Sequence, residues 1–226
     1  MLRNGVDQGD GTINANVGTP SEASIRSASE RGHAFNVPPL LDILPVVETY
    51  FRQFNTALPL FDQSCFTRMI NRFYSNPSAG SKLEWAAINV VLAIGYCARS
   101  IAGDDIALRF DDSKITNCIN NVREQMDDIL SRKDEIYGVQ VLLGLAILHQ
   151  GNVDQETPST WVSTALRLAH RMQLHSKANL ADYSSGVAQQ RTNVFWIAYF
   201  LDKVRNPPAR VSHAVFSMRL TLKAGL

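Results

Sequence analysis

Three pairs of adjacent aspartates come closest to a reactive site in this chain of 226 residues: Asp104/Asp105, Asp111/Asp112 and Asp127/Asp128. In an all-α protein, paired aspartates are typical of sites that bind Mg²⁺. Such a site needs another carboxylate one turn later, on the same helix face. The positions one turn later hold Leu108, Ile115 and Ser131. We therefore interpret all three pairs as solvated helix ends or loop caps.

The histidines and the short sequence motifs indicate no catalytic centre either. His170 and His175 are five residues apart, which separates them by about 140° around a helix, so they are not a zinc pair of the i, i+4 type. Nothing in the sequence indicates that His149 meets His170 in space. The chain has no HExxH, CxxC or GxSxG motif and no glycine loop for phosphate. We predict no catalytic, cofactor-binding or metal-binding residue.

Four basic side chains form one polar face around the end of a predicted helix: Arg167, His170, Arg171 and Lys177. This face can contact an acidic partner or a phosphate backbone, or it can be the solvated side of the helix, which we favour. No aromatic residues interleave the charges, as platforms for nucleic acid require. The formal net charge is only +1, so the chain also lacks the strongly basic balance of a self-sufficient nucleic-acid binder.

The densest aromatic stretch is RTNVFWIAYFLDK, residues 191–203. Its uninterrupted apolar run covers only residues 194–201, whereas a helix that spans a bilayer needs about 20 residues. A rotation of about 100° per residue places its apolar side chains on every side of a helix. A helix that is apolar all round belongs inside a bundle. We therefore predict a central core helix over about residues 188–203, covered by its neighbours on every side.

Apolar residues recur at intervals of three or four over most of the chain, which predicts helices. Residues 134–149 indicate a helix that is apolar on most faces, and residues 157–175 indicate one with a buried side and a solvated side. SKLE, residues 81–84, is a capping box, and Asp62 or Ser64 can cap another helix. The predicted fold class is all-α, a multi-helix bundle in which six or seven amphipathic helices surround the central aromatic-rich helix.

Composition divides the chain into three parts. Residues 1–37 are rich in Gly, Ser, Asn and Thr and have no apolar periodicity, which predicts a disordered leader. Residues 38–203 are the predicted helical domain, and residues 204–226 are an irregular or truncated tail. The first 20 residues lack the charged start and apolar core of a secretory signal. We therefore expect a soluble, intracellular protein that does not contact membranes.

The three cysteines, Cys65, Cys97 and Cys118, predict thiols rather than disulfides. They are odd in number, far apart in sequence, and each lies inside an apolar pattern. Such cysteines are typical of free, buried thiols in a reducing compartment.

Four segments carry a more specific signal: LPLFDQSCFTRMINRFY (58–74), AINVVLAIGYCA (87–98), STWVSTALRLAHRMQLHS (159–176) and QQRTNVFWIAYFLDK (189–203). The third has an Ala-x-Arg-x-Ala-x-x-x-x-Leu-His pattern at Ala165, Arg167, Ala169, Leu174 and His175. The fourth has an Arg-x-x-x-Phe-Trp-x-x-Tyr-x-x-Asp pattern at Arg191, Phe195, Trp196, Tyr199 and Asp202. In this order, over about residues 45–205, they resemble the fungal-specific transcription factor domain, the middle regulatory region of many fungal zinc binuclear cluster activators.

The resemblance implies a helical regulatory domain of a nuclear transcription factor. Such a domain controls transcription by RNA polymerase II through contacts with other regions of the factor, with other proteins or with a small effector, and it is not an enzyme. The family binds DNA through six cysteines that hold two zinc ions. Residues 1–37 contain no cysteine. We therefore expect no cofactor in this chain, with zinc and DNA contact only through an upstream cluster in the full-length protein.

After Asp202 the chain departs from the family pattern, which continues to a Gly-Arg/Lys-Pro turn and further helices. Here it continues VRNPPARVSHAVFSMRLTLKAGL, and we expect a fragment, an incomplete gene model or a family member that has lost its DNA-binding module. A missing continuation would leave part of the aromatic-rich helix uncovered. We expect a chain of that kind to be poorly soluble or to need a partner.

An alternative hypothesis is an all-α enzyme of the terpene-synthase type. In that case Trp161, Trp196 and Tyr199 would line an apolar pocket between helices. Replacing the first two aspartate pairs separates the hypotheses, since a metal-dependent enzyme would lose its activity and a regulator would not.

Overall fold

The computed structural model describes residue 35 and residues 38–102, 105–131, 135–149 and 156–205. Within this part of the chain, nine α-helices and no strand occur. In chain order they are α1 (Leu40–Thr49), α2 (Gln63–Ser75), α3 (Lys82–Ala102), α4 (Asp105–Arg123), α5 (Met126–Ser131), α6 (Ile136–Leu148), α7 (Glu156–Arg171), α8 (Lys177–Leu180) and α9 (Ser185–Arg205). A π-helical turn (Tyr50–Phe54) follows α1, and a 3₁₀ turn (Pro77–Ala79) follows α2. The predicted all-α fold class is confirmed.

Helices α2 and α3 begin at the capping residues that the sequence predicted. Asp62 Oδ1 accepts a hydrogen bond at 2.8 Å from the backbone N–H three residues later, at the start of α2. At the start of α3, Glu84 Oε2 accepts from the Ser81 N–H at 3.1 Å, and Ser81 Oγ accepts from the Leu83 N–H at 3.2 Å. These reciprocal bonds form the capping box. The buried Glu84 carboxylate also pairs with Arg72, which ties α3 to α2.

Helices α3 and α6 lie at the centre of the bundle. α3 packs against α1, the π-helical turn, α2, α4, α5 and α6, and α6 packs against α3, α7 and α9. Every residue of α6 from Gly138 to Ala146 is buried. α9 packs mainly against α7 and α6, and part of its surface is open to solvent. The prediction that the aromatic-rich helix is covered on every side is therefore wrong, because aliphatic α3 and α6 occupy the centre.

Two glycines let the central helices approach their neighbours closely. A Cβ atom on Gly95 of α3 would lie 2.6 Å from the carbonyl oxygen of Val46 in α1. A Cβ atom on Gly144 of α6 would overlap the side chain of Val90 in α3. Val90 is β-branched and its rotamer is restricted, so it does not move aside freely. The two glycines therefore set the spacing of α1, α3 and α6.

An aromatic cluster packs between the π-helical turn and α2. The ring of Phe61 lies 6.3 Å from that of Tyr50 and 5.4 Å from that of Phe66. The Tyr50 hydroxyl donates to Asn55 Oδ1 at 3.0 Å, and burial raises the pKa of Tyr50 well above its ordinary value. The Asn55 amide bonds both the N–H and the carbonyl of Phe61, at 3.1 and 2.9 Å. Asn55 thus holds the LPLF segment, residues 58–61, as a local turn.

A second amide joins the LPLF segment to the centre of the bundle. Gln140 of α6 is fully buried, and its Nε2 donates to the carbonyl of Leu60 at 2.6 Å. A buried carbonyl without a partner would destabilise the fold, so this bond removes a cost of about 1–3 kcal/mol. Gln140 Oε1 accepts no hydrogen bond from the described residues.

The predicted leader and tail lie largely outside the described residues. Phe35 is the described member of the predicted leader, residues 1–37, and its ring packs 5.3 Å from that of Phe73. α9 continues to Arg205, two residues into the predicted irregular tail, 204–226. Among the described helices, none combines the length and the apolar character needed to cross a membrane.

All three cysteines are free, but they differ in burial. Cys118 is buried as predicted, whereas Cys65 and Cys97 are only half-buried. Burial raises the pKa of Cys118 from its ordinary 9.0 to about 12, with a smaller contribution from Cys97. Burial, followed by the nearby carboxylates of α4, raises the pKa of Cys97 to about 11. Because the thiolate is the reactive form, the raised pKa values lower the reactivity of both thiols at neutral pH.

Candidate functional site

Helix α9 presents a row of aromatic side chains to solvent. Trp196 is 57% exposed, Tyr199 40% and Phe200 36%. Residues three and four apart lie next to each other along a helix, and Lys203 continues the row one turn later. The ammonium of Lys203 lies 5.3 Å from the centre of the Tyr199 ring. We call the row of Trp196, Tyr199, Phe200 and Lys203 the α9 stripe.

Two histidines extend this surface sideways through Phe195. The nearly buried ring of Phe195 lies 5.6 Å from that of Trp196 and 6.4 Å from that of Tyr199. On its other side, the centre of the Phe195 ring lies 5.2 Å from that of His170 and 4.9 Å from that of His175. Both histidines are exposed. Aromatic rings therefore form a continuous band from the end of α7 to the α9 stripe.

A turn at the end of α7 brings the two histidine rings to 5.2 Å from each other. α7 ends at Arg171, and Gln173 adopts a left-handed φ of 50°. Backbone hydrogen bonds of 2.9 and 3.0 Å then close a Schellman motif. The sequence prediction treated residues 157–175 as one helix and so separated His170 from His175. It missed the reversal because Gln, rather than the usual Gly or Asn, holds the left-handed position.

Arg191 attaches α9 to this turn. Its Nη2 donates to the carbonyl of Met172 at 3.4 Å, and its guanidinium lies 4.4 Å from the centre of the Tyr183 ring. Its Nε is buried and has no hydrogen-bond partner among the described residues. A cation near the last carbonyls of a helix is favourable. Arg191 therefore fixes the position of the α9 stripe relative to the histidines.

The basic residues of α7 lie on its exposed side, which confirms the prediction of a half-buried, half-solvated helix. Arg167, His170 and Arg171 are exposed, whereas Trp161 and Ala165 are buried. The basic face thus includes His170, one of the two exposed histidines.

The aspartate pairs have separate structural surroundings. Asp111 is buried in α4 beside the exposed Asp112, so the prediction of a solvated pair is wrong for Asp111. The third pair opens α5, where Asp128 pairs with Lys82 of α3 at 2.6 Å. Asp104 lies outside the described residues. In the part of the chain that the structure describes, no group of three or more His, Cys, Asp or Glu side chains is placed to hold a metal ion.

The residues predicted to line an apolar enzyme pocket do not face one another. Trp161 is buried in α7, with its ring 4.9 Å from that of His149. Trp196 and Tyr199 point away from the bundle on the outer side of α9. The prediction of a shared pocket is therefore wrong, because the aromatic-rich helix lies at the edge of the bundle instead of its centre.

A cavity of about 210 Å³ opens elsewhere, between the LPLF region and the start of α9. Its lining includes five carboxamide side chains: Asn55, Gln63, Gln189, Gln190 and Asn193. Gln189 donates to Asn193 at 2.8 Å, and the lining carboxylate of Asp62 already caps α2. The lining is therefore mainly carboxamide, and part of it is already hydrogen-bonded within the protein. No sequence spacing signals it, because its two sides lie more than 100 residues apart.

Residues 47–205 match the model of the fungal-specific transcription factor domain. The chain belongs to this family. The resemblance of the four sequence segments, which covers about residues 45–205, is thereby confirmed. No solved structure matches the chain.

Curated relatives of this family member are described as transcription factors. An ABC-transporter-regulating transcription factor of Aspergillus oryzae is 33% identical over 167 residues, which is 74% of this chain and 18% of the relative. A protein of the same description from Aspergillus fumigatus is 32% identical over 167 residues, which is again 74% of this chain and 18% of the relative. The Fusaridione A cluster transcription factor of Fusarium heterosporum is 28% identical over 70% of this chain and 30% of its own length. The chain therefore spans less than a fifth of the two Aspergillus relatives.

In this member of the fungal-specific transcription factor domain family, the described residues do not form the family's zinc cluster. Cys65, Cys97 and Cys118 lie on three different helices, α2, α3 and α4. A binuclear cluster takes six cysteines held together in one small module. Within the Arg-x-x-x-Phe-Trp pattern, Arg191 instead positions α9, Phe195 is buried against the two histidines, and Trp196 lies on the outer surface.

Proposed function

We propose that this chain is the regulatory domain of a fungal nuclear transcription factor and that it controls transcription by RNA polymerase II. The observation that carries the proposal is the family match over residues 47–205, which coincides with the helical bundle. The proposed domain covers residues 38–203, with residues 1–37 as its leader and 204–226 as its tail.

The domain acts through contacts and performs no catalytic step. Its partners are other regions of the factor or other proteins, and the α9 stripe supports this because exposed aromatic rows are typical of interaction surfaces. A small effector would find amide donors and acceptors in the cavity beside α9. Contact with DNA belongs to a zinc cluster of the full-length factor, and the domain itself needs no cofactor.

The proposal is tested by fusing residues 1–226 to a DNA-binding module from another protein, in a fungal host with a reporter gene. The expected result is a reporter level several-fold above or below that of the DNA-binding module alone, with the fusion located in the nucleus. Equal reporter levels with both proteins, at equal abundance, would contradict the proposal.

A matched control separates regulation by the folded domain from a nonspecific effect of the fused chain. Val90→Asp places an unpaired carboxylate in the fully buried core of α3 and should unfold the domain. The reporter effect should disappear in this variant. Persistence of the effect would mean that the folded bundle is not its source.

A further inference from the structure

We propose that the α9 stripe and the histidines beside it bind an acidic amphipathic helix, an inference that rests on the proposed regulatory function. The partner would place an apolar row against Trp196, Tyr199 and Phe200. Its carboxylates would lie against the basic groups at the margins of the stripe.

The spacing of the α9 stripe favours a helix as the partner. Trp196, Tyr199, Phe200 and Lys203 follow the i, i+3, i+4, i+7 pattern of a helix surface that packs against another helix. Arg191 holds this row in place through the Met172 carbonyl and the Tyr183 ring, so the surface is formed before the partner binds. A preformed surface costs little ordering entropy on binding.

The charges around the stripe favour an acidic partner. Lys203 lies at one end of the row, and the exposed His170 and His175 lie on its α7 side. Asp202, an acidic residue beside the row, is half-buried, and its carboxylate is within 3.5 Å of Lys203. A second copy of this surface would bring the same basic groups, and its Asp202 carboxylate would be half-buried and already beside its own Lys203. Charge complementarity thus selects an acidic helix over self-association.

The test uses the full 226-residue chain and two synthetic peptides of about 20 residues, long enough to be partly helical alone. Both carry leucines at i, i+3, i+4 and i+7, and one has glutamates on the flanking positions where the other has lysines. Each peptide carries a fluorophore, and its anisotropy is followed as protein is added. Trp85 and Trp161 are buried, so a blue shift of the tryptophan emission on binding reports Trp196.

The glutamate peptide should bind at least about tenfold more tightly than the lysine peptide and shift the tryptophan emission to the blue. Trp196→Ala should weaken its binding by about thirtyfold or more, the size of an interface hot spot. Lys203→Glu should weaken it by about threefold to fivefold, as expected for an exposed ion pair, and strengthen the lysine peptide by a similar factor. Leu41→Ala, which removes an exposed leucine from α1, should change neither affinity.

Several results would overturn the inference. They are no binding of the glutamate peptide, equal binding of both peptides, or undiminished binding to a Trp196→Ala protein whose circular dichroism is that of the wild type. A dimer in sedimentation velocity that Trp196→Ala dissociates would assign the stripe to a second copy instead. A reporter effect in cells without peptide binding would overturn this inference and leave the proposed regulatory function intact.

Discussion

Helices α6 and α9 look alike in sequence and occupy opposite kinds of position. Both carry apolar residues all round their axis, yet α6 is buried from Gly138 to Ala146 and α9 exposes Trp196, Tyr199 and Phe200. α6 consists mainly of aliphatic residues and glycines, so its neighbours can approach from all sides. α9 carries large rings that need room, and its apolar run is only about two turns long before Asp202 and Lys203. Apolar character alone therefore does not identify the central helix.

The contrast between α6 and α9 is tested most strongly by Leu143→Ala in α6. Leu143 is fully buried, so the substitution should lower the free energy of unfolding by about 3 kcal/mol through lost burial and the cavity left behind. Urea unfolding followed by circular dichroism measures this change. A loss below about 1 kcal/mol would mean that the centre of the bundle lies elsewhere.

The close approach of α6 to α3 is tested by Gly144→Ala. The added methyl group would overlap Val90, so the variant should lose about 1–3 kcal/mol of unfolding free energy despite the better helix propensity of Ala. In a Val90→Ala background the same substitution should cost at least about 0.5 kcal/mol less, because the space is then free. Additive effects of the two substitutions would contradict the contact.

The half-buried thiol of Cys97 in α3 and the buried thiol of Cys118 in α4 predict a loss of stability at high pH. Their folded pKa values are raised, to about 11 for Cys97 and about 12 for Cys118, so the folded protein holds these protons more tightly than the unfolded chain. The resulting stabilisation of the folded protein is fully present below the ordinary thiol pKa of about 9 and is lost as pH rises towards 11 to 12. The free energy of unfolding should fall by at most about 1.4 kcal/mol per pH unit for each thiol.

Urea unfolding at pH 8, 9 and 10 checks this slope, with Cys118→Ala as the control. The variant lacks one of the two groups, so its unfolding free energy should decline less steeply above pH 9. Identical slopes for both proteins would show that Cys118 does not contribute to the pH dependence of the unfolding free energy.

The smallest effect is expected for Phe200→Ala on the α9 stripe. The ring is exposed, so the free energy of unfolding should change by less than about 0.5 kcal/mol. Aggregation on heating, measured by light scattering, should decrease because the exposed apolar area is smaller. A destabilisation comparable to that of Leu143→Ala would place α9 in the core after all.

Sequence patterns were most reliable where one local interaction decides the outcome. The Asp62 cap and the SKLE box were predicted because their hydrogen bonds join residues two or three apart. The two-sided character of α7 followed from a single helical period. The contact between His170 and His175 was not predicted, since it depends on a left-handed Gln173 for which the sequence holds no usual signal. The carboxamide cavity was missed because its sides come from distant segments.

By itself, the amino-acid sequence determined the all-α class, two helix starts, the solvated side of α7 and membership of the family. These features depend on local periodicity, on local hydrogen bonds and on the order of the four family segments along the chain. Only the tertiary structure decided that α3 and α6, rather than α9, lie at the centre, that Cys118 is the buried thiol and that an aromatic band faces outward. The physical reason is that an apolar pattern records which side chains avoid water, whereas the neighbour that covers them depends on how closely distant helices can pack.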